Sequence, residues 1–582
     1  MPKRLAITIA GAVALGAYEA GVLYEVLRAI AAHNQDPLTL NNPDERIEID
    51  VLTGASAGGM TAAIAAQRLL YDGDSLAQAN NNPFYNPWVV DISLDNLLNF
   101  SASEATKAAY SILSSDLIEK LSRTYLTGRY ETQHVTRKRH PAAAEKIRLG
   151  LALSNLNGVA YSYPIRAWQG HDDQTFAYGR FQDEMVGDFT ADGSDGKDKR
   201  EAWEPWRNAA VSCGAFPFAF RVKELHRHKR EYTRRHLAWE GPEEKNFAYT
   251  DGGVFQNEPL GMAKNLVDLN DRPEGGPYRD SDSRFYLYVA PDVKKSDVND
   301  KFNAGIATFL PTTQSLVGAI LHQAKFQDWV NAEKINSQID TFNLRAEQLY
   351  HALVNHDVEP GFLQNAADVL LPGLFNTKQP PHSGVRDDNQ ESARARLRKQ
   401  FAKESVELLK VGPAVEKAWI DSILVLETAA ELNLKDEMNI YGITATNKEL
   451  AGGGLFAFEG FFELRLRQHD YNLGRQKARA FLAAHRNPLP VRAAGEAQPP
   501  PDIAPIRYDP HDEVPDISVP ARDEQTGYVL VSQLNQNTRE NLYRTVKARA
   551  DELMIELKVP WYVRKPIEMF YINPQLKKRL AL

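Results

Sequence analysis

The stretch Ile47-Glu48-Ile49-Asp50-Val51-Leu52-Thr53-Gly54-Ala55-Ser56-Ala57-Gly58 decides the fold. Ile47, Ile49 and Val51 recur at alternate positions, the period of a strand, and the run stops at Thr53-Gly54. Met60 to Leu70 then reads as helix. Between them, Gly54-Ala55-Ser56-Ala57-Gly58 has the G-x-S-x-G spacing of a nucleophile elbow, a strand-to-helix turn so tight that it demands small neighbours. Every neighbour here is small. Such a turn lifts the serine oxygen above the sheet, and the helix N-terminus beyond it supplies a dipole and free N–H groups that favour a negative oxygen. Ser56 is therefore the candidate nucleophile, with Gly54 and Gly58 shaping the elbow. The bare string also matches ordinary loops, so the strand before it and the helix after it carry the reading.

Upstream, Leu5 to Ile9 reads as a first strand, and Gly11 and Gly16 bracket a turn. Tyr18-Glu19-Ala20-Gly21-Val22-Leu23 then continues with Tyr24, Val26 and Leu27 as an amphipathic helix. Pro2-Lys3-Arg4 and the small apolar run to Ala17 also imitate a secretory leader, but strand, turn and helix account for the segment without cleavage. Downstream, strands are expected at Ile147 to Ser154, around Ser162 to Ala167, and at Phe285 to Val289. Strands alternating with helices over residues 1–295 predict an α/β domain with a largely parallel sheet.

Beyond it the period becomes helical: Phe309, Leu316, Ile320, Ala324 and Trp329 give way to Phe342, Ala346, Leu349 and Leu353. Residues 296–485 thus read as a mainly helical extension. Prolines at 488, 490, 499, 500, 501, 505, 510, 515 and 520 mark residues 486–523 as a linker or wrapping strap. Residues 524–582 form a last unit, with a helix from Thr538 to Lys558 and an aromatic and basic tail from Trp561 to Arg579. A membrane surface is one use for that tail, and packing of its aromatics against the body is the expectation adopted.

A serine hydroxyl needs a base to take its proton. Asp251-Gly252-Gly253 follows the strand-like run Phe247-Ala248-Tyr249-Thr250 and precedes Val254 to Pro259. Asp-Gly alone usually marks a turn. In this order, however, Ser56 in G-x-S-x-G and Asp251 in D-G-G resemble the patatin-like phospholipases. The family's glycine-rich G-G-G-x-[KR]-G loop lies over Gly11-Ala12-Val13-Ala14-Leu15-Gly16. Ala209 to Pro217 and Asp251 to Pro259 are similar to patatin-type sequence as well, so the resemblance covers roughly the first half of the chain.

The resemblance implies a three-layer α/β/α hydrolase domain and a Ser-Asp dyad acting on lipid or fatty-acyl esters through an acyl-enzyme, as a phospholipase A or lysophospholipase does. It implies oxyanion donors at the backbones of Ala12 and Val13, with Gly11 and Gly16 shaping the loop. The chain departs from the family at this loop. Ala12 and Val13 replace glycines, so either φ is negative there or the loop has changed shape, and Leu15 replaces a cation. A catalytically silent lipid-binding or scaffold protein is the alternative this motivates. Gly460-Phe461-Phe462 and Arg467 to Arg475 are similar to the C-terminal regions of some bacterial patatin-like proteins; for Arg467, Asp470 and Arg475 internal ion pairing is expected before head-group contact.

Other chemistries fit less well. Gly11 and Gly16 have half of a Walker A spacing, but Ala17-Tyr18 stands where Lys-Ser/Thr is needed, which removes the nucleotide reading. A His-based triad is the nearest rival, with His171, His226, His322 and His469 as candidates. No H-E-x-x-H or clustered Cys/His spacing suggests a metal, Asp172-Asp173 reads as a solvated loop, and no cofactor is expected. A net charge of -8 argues against nucleic acid. The 43% hydrophobic and 25% charged residues and a mean hydropathy of -0.44 are those of a soluble globular chain. The single cysteine, Cys213, allows no intrachain disulfide and suits a reducing compartment, so a cytoplasmic location is expected, with any membrane contact peripheral. The sequence fixes no oligomeric state.

Overall fold

The computed structural model describes residues 2–582 apart from 102–103, 105–109, 129–137, 166–173, 195, 197, 233–236, 272–283, 292–302, 304–308, 376–389, 431, 433–437, 485–513, 525–526 and 557. The chain forms two compact units: Met1–Ala263 with Ser283–Gln327 and Ile440–Leu582, and Lys264–Asp282 with Asp328–Asn439.

The first unit is built on one sheet. Its strands are β1 (Lys3–Ile9), β2 (Ile47–Gly54), β3 (Ala143–Ile165), β4 (Gln174–Thr190), β5 (Lys223–His228), β6 (Glu244–Thr250), β7 (Arg284–Val289) and β8 (Ile440–Ile443). They run in the order β5-β6-β3-β2-β1-β7-β8, and β4 pairs with β3 off this path. β2 and β7 flank β1 in parallel, and β3 and β8 continue the parallel pairing outward. Every residue of β2 is buried, as befits a central strand covered on both faces. Flanking helices complete an α/β/α sandwich.

Three features depart from the sequence expectations. The sheet is mixed rather than largely parallel, because β4 and β6 join β3 antiparallel and β5 joins β6 antiparallel. The strands expected at 147–154 and 162–167 are one long β3, whose register with β4 shifts between Ser154 and Val159. There Asn155 Oδ1 accepts from the N–H groups of Asn157 and Gly158, a side-chain turn that interrupts the ladder without ending the strand. Ala167 lies outside the described residues. Finally, β8 comes from within the 296–485 stretch.

Helix α1 (Gly16–Gln35) is a fourth departure, being buried almost all round rather than amphipathic. The cause is α4 (Leu464–Ala483), which lies against it. At their crossing a Cβ on Gly21 would stand 2.0 Å from Tyr471 O, and one on Gly474 2.1 Å from Tyr18 O. Only glycine permits that approach. Glu25 is fully buried on α1 and is paired with Arg28, Arg475 and Arg479. Of the three residues weighed for head-group contact, Arg475 thus forms an internal ion pair, while Asp470 accepts from the backbone of Ala451 and Gly452. Two further helices position the site, α2 (Ser56–Tyr71) and α3 (Arg200–Cys213).

The second unit contains the helices Pro360–Phe375, Gln390–Gln400, Ala402–Val411 and Pro413–Ala429 and part of Phe309–Val354. Ile339, Phe342, Leu353, Trp419, Ile420 and Ile423 form its core, and Trp419 Nε1 donates to Ala346 O at 3.0 Å.

Most of the proline-rich strap lies outside the described residues. Its described end runs along α4, where Asn472 Nδ2 donates to Pro515 O. The expected helix at Thr538 to Lys558 spans Gln536–Glu556. In the tail Trp561 and Tyr562 are 70% and 63% exposed, so these two aromatics do not pack against the body as expected. Among the described residues no helix is long and apolar enough to cross a membrane.

Candidate active site

β1 and β2 end side by side, and the loops leaving their carboxyl ends bring Gly11 and Ser56 together. This is where open α/β sheets bind ligands. At the end of β2 the chain turns into α2 through Ser56, whose φ is +52. A left-handed non-glycine residue at a strand-to-helix turn is the strained geometry of a nucleophile elbow. The flanking glycines are required by close approach rather than by φ. A Cβ on Gly54 would lie 2.4 Å from Gly58 O, and one on Gly58 2.3 Å from Ala10 O. Cys213 packs beneath, its sulfur 2.3 Å from where a Cβ on Gly59 would stand. Burial pushes its thiol well above the usual range, so it is a packing residue and not a reactive one.

Asp251 follows β6 directly and is 2% exposed. Its N–H donates to Ala215 O at 2.9 Å, and Thr250 Oγ1 donates to the same carbonyl, which ties the β6 end to the loop after α3. The two carboxylate oxygens have separate partners. Oδ2 accepts from Ser56 Oγ at 2.5 Å, and Oδ1 accepts from Gly253 N at 2.7 Å. Burial raises this carboxyl to about 7, although both hydrogen bonds favour its charged form. Gly252 is held against β3, where a Cβ would stand 2.0 Å from Ala152 O.

Two of the histidine rivals, His226 and His469, lie elsewhere. His226 is exposed and meets Asn246 and Glu244, while His469 faces the carbonyls of Ile517 and Glu449. His171 with Asp172-Asp173 lies outside the described residues, as does the side chain of His322. Among the described side chains Ser56 hydrogen-bonds only to Asp251. No group of three or more His, Cys, Asp or Glu among the described residues is arranged to hold a metal.

The loop from Gly11 to Gly16 faces the serine. A Cβ on Gly11 would lie 3.0 Å from Ser56 Cβ, so glycine keeps the loop close. The expected negative φ is found at Ala12, at -139, but not at Val13, which adopts φ +53 despite its branched side chain and so carries backbone strain. It opens a short 3-10 turn, Val13–Leu15, that leads into α1 at Gly16. Among the described residues the N–H groups of Ala12 and Val13 donate to no protein acceptor, as expected at the start of such a turn. The start of α2 at Ser56 adds the positive end of a helix dipole. Gly16 lies on the Trp88 ring, with room for no side chain.

Sequence reasoning missed several neighbours. Asn257 accepts from Gly11 N through its carbonyl at 3.0 Å and donates from Nδ2 to Gly11 O at 3.4 Å, clamping the loop. Its place six residues after Asp251 was visible, but nothing in the pattern pointed it at Gly11. A small apolar cavity of about 40 Å³ is lined by Met60 and Ile64 of α2 together with Trp88, Ile92, Ile118 and Leu121. Met60 stands one turn along α2 from Ser56. Its walls come from four separate segments, so no single motif announces it.

Residues 7–264 match the family model described as patatin-like phospholipase, and this span contains Ser56 and Asp251. A comparison with curated proteins gives no match.

Proposed function

Because residues 7–264 are a patatin-like phospholipase domain, to which this chain adds a C-terminal region, we propose that the protein hydrolyses carboxylic esters of lipids through Ser56 and Asp251. The observation that carries this reading is the 2.5 Å hydrogen bond from Ser56 Oγ to Asp251 Oδ2. Asp251 Oδ2 takes the hydroxyl proton as Ser56 Oγ attacks the ester carbonyl. The oxyanion of the tetrahedral intermediate rests on the N–H groups of Ala12 and Val13 and the N-terminus of α2. As the intermediate collapses, the carbonyl re-forms, the C–O bond to the alcohol breaks, and Asp251 returns the proton to the departing oxygen. Water then repeats the sequence on the acyl-enzyme, releasing the acid and restoring Ser56.

A free carboxylate is a weak base at neutral pH. Burial of Asp251 supports the role by raising its affinity for the proton, while Gly253 N holds the other oxygen and fixes its orientation. The cavity beside Met60 and Ile64 suits the acyl chain, each buried methylene contributing about 0.8 kcal/mol. No cofactor enters these steps.

The test is turnover of a panel of lipid and p-nitrophenyl esters beside Ser56→Ala and Asp251→Asn. Both substitutions should lower kcat by about three orders of magnitude or more while the protein stays folded. Labelling of Ser56 by a fluorophosphonate excludes the silent-scaffold alternative. A folded wild type that neither turns over esters nor takes the label sinks the hydrolase reading.

A further inference from the structure

We propose that the segment from Gly452 to Arg467 is a positioning element for the loop Gly11–Gly16, acting through Gly460 and Arg467. The inference rests on the reading of Ala12 and Val13 as oxyanion donors and extends it to a part of the chain outside the patatin-like domain.

The first contact is at Gly460. A Cβ built there would stand 3.0 Å from the Cβ of Ala14, the residue after Val13. Ala14, Phe461 and Phe462 belong to one apolar cluster, so the segment packs against the loop. The second contact is made through Arg467, which is 3% exposed. Its Nε donates to Val89 O at 2.9 Å, and its Nη1 donates to Gly460 O at 3.0 Å and Phe461 O at 3.1 Å. Val89 adjoins Trp88, whose ring supports Gly16. One guanidinium therefore joins the backbone behind Ala14 to the backbone behind Gly16, the two supports of the loop.

The segment is itself braced. Asp470 accepts from Ala451 N at 2.7 Å and Gly452 N at 2.8 Å, and Glu459 Oε2 accepts from Gly454 N at 2.9 Å. It also reaches the other half of the site. The Phe458 ring meets Phe216 edge-on at 5.5 Å, one residue from the Ala215 carbonyl that holds Asp251 N.

The backbone gives the independent reason for such support. Val13, Leu455 and Ala457 all have φ between +53 and +63 without being glycine. Conformations of this kind persist only where the surroundings over-determine them. A loop with glycine at 12 and 13 would adopt its shape at little cost. With Val13 in that conformation the shape must be imposed, and the C-terminal segment touches the loop at Ala14 where Asn257 and Trp88 hold its two ends.

The experiment introduces Gly460→Ala into the full chain, alone and with Ala14→Gly, which removes the atom the new methyl meets. Arg467→Lys keeps the charge and loses the forked geometry. The measurements are kcat and KM on a p-nitrophenyl ester, the rate of fluorophosphonate labelling, and Tm. Displacing an oxyanion donor should lower kcat and the labelling rate by roughly 10–100-fold in Gly460→Ala and Arg467→Lys, with KM within about twofold. Ala14→Gly should return most of the loss in the Gly460→Ala chain. Unchanged kcat in Gly460→Ala, a loss that Ala14→Gly does not relieve, or a loss that tracks a fall in Tm would each overturn the proposal and leave the dyad standing. Absence of turnover and labelling in the wild type would overturn both.

Discussion

On the proposed reading, Asp251 ties activity and stability to pH in opposite ways. Its carboxyl is raised to about 7 by burial, so the form able to accept the Ser56 proton grows as pH rises through neutrality. The pH profile of kcat/KM should therefore climb with an apparent pKa near 7, and Asp251→Asn should remove that limb. Stability runs the other way. The folded protein holds this proton more tightly than the unfolded chain, so the fold is favoured below about pH 4 relative to above 7, and stability falls as pH rises through that window. Melting curves should accordingly show Asp251→Asn stabilised relative to wild type at pH 8 and little changed at pH 4. Val13 stores a cost of another kind. Its left-handed backbone opposes the fold by about 1–2 kcal/mol, a strain that Val13→Gly relieves while adding freedom to the unfolded chain. The two terms oppose each other, so Tm should move little, and slower fluorophosphonate labelling is the expected effect.

The elements differ in how openly they announced themselves. β2 and α2 were legible because a period-two run, a small-residue turn and a helical run follow one another without a gap, and each is a local property. Asp251 was legible through its glycine pair, where the Ala152 backbone crowds Gly252 and the Asn257 side chain crowds Gly253. β4 was not, because it pairs with β3 along nearly the whole of that strand while few of its described residues are buried, so its sequence carries no buried stripe. The buried character of α1 was equally hidden, since the helix that covers it arrives 450 residues later in the Arg475–Glu25 pair. The contribution of Gly460 and Arg467 depends on that same distant return and left no local signature. The α1–α4 crossing yields a direct test. In Gly474→Ala the new methyl would meet Tyr18 O, forcing the helices apart, and denaturant unfolding should register a loss of about 1–3 kcal/mol or more.

At the scale of the whole molecule, the first compact unit is discontinuous in sequence. It needs β8 on the sheet edge beyond β7 and α4 over α1, both from residues past 439. A chain ending at residue 295 would carry Ser56 and Asp251 yet expose Tyr18, Val22 and the edge of β7. It is expected to be aggregation-prone and without cooperative unfolding, and co-expression with residues 296–582 should recover soluble, fluorophosphonate-reactive protein; soluble reactive protein from 1–295 alone would show that the later segments are dispensable. The glycine crossing between Gly21 and Gly474 also has a consequence in time. A ribosome adding roughly 5–20 residues per second needs about twenty seconds to a minute and a half to bring α4 out after α1 has emerged. Throughout that interval the apolar back of α1 has no permanent cover. The nascent protein is thus expected to expose that face until its last quarter is made, and the first compact unit is completed only near the end of synthesis.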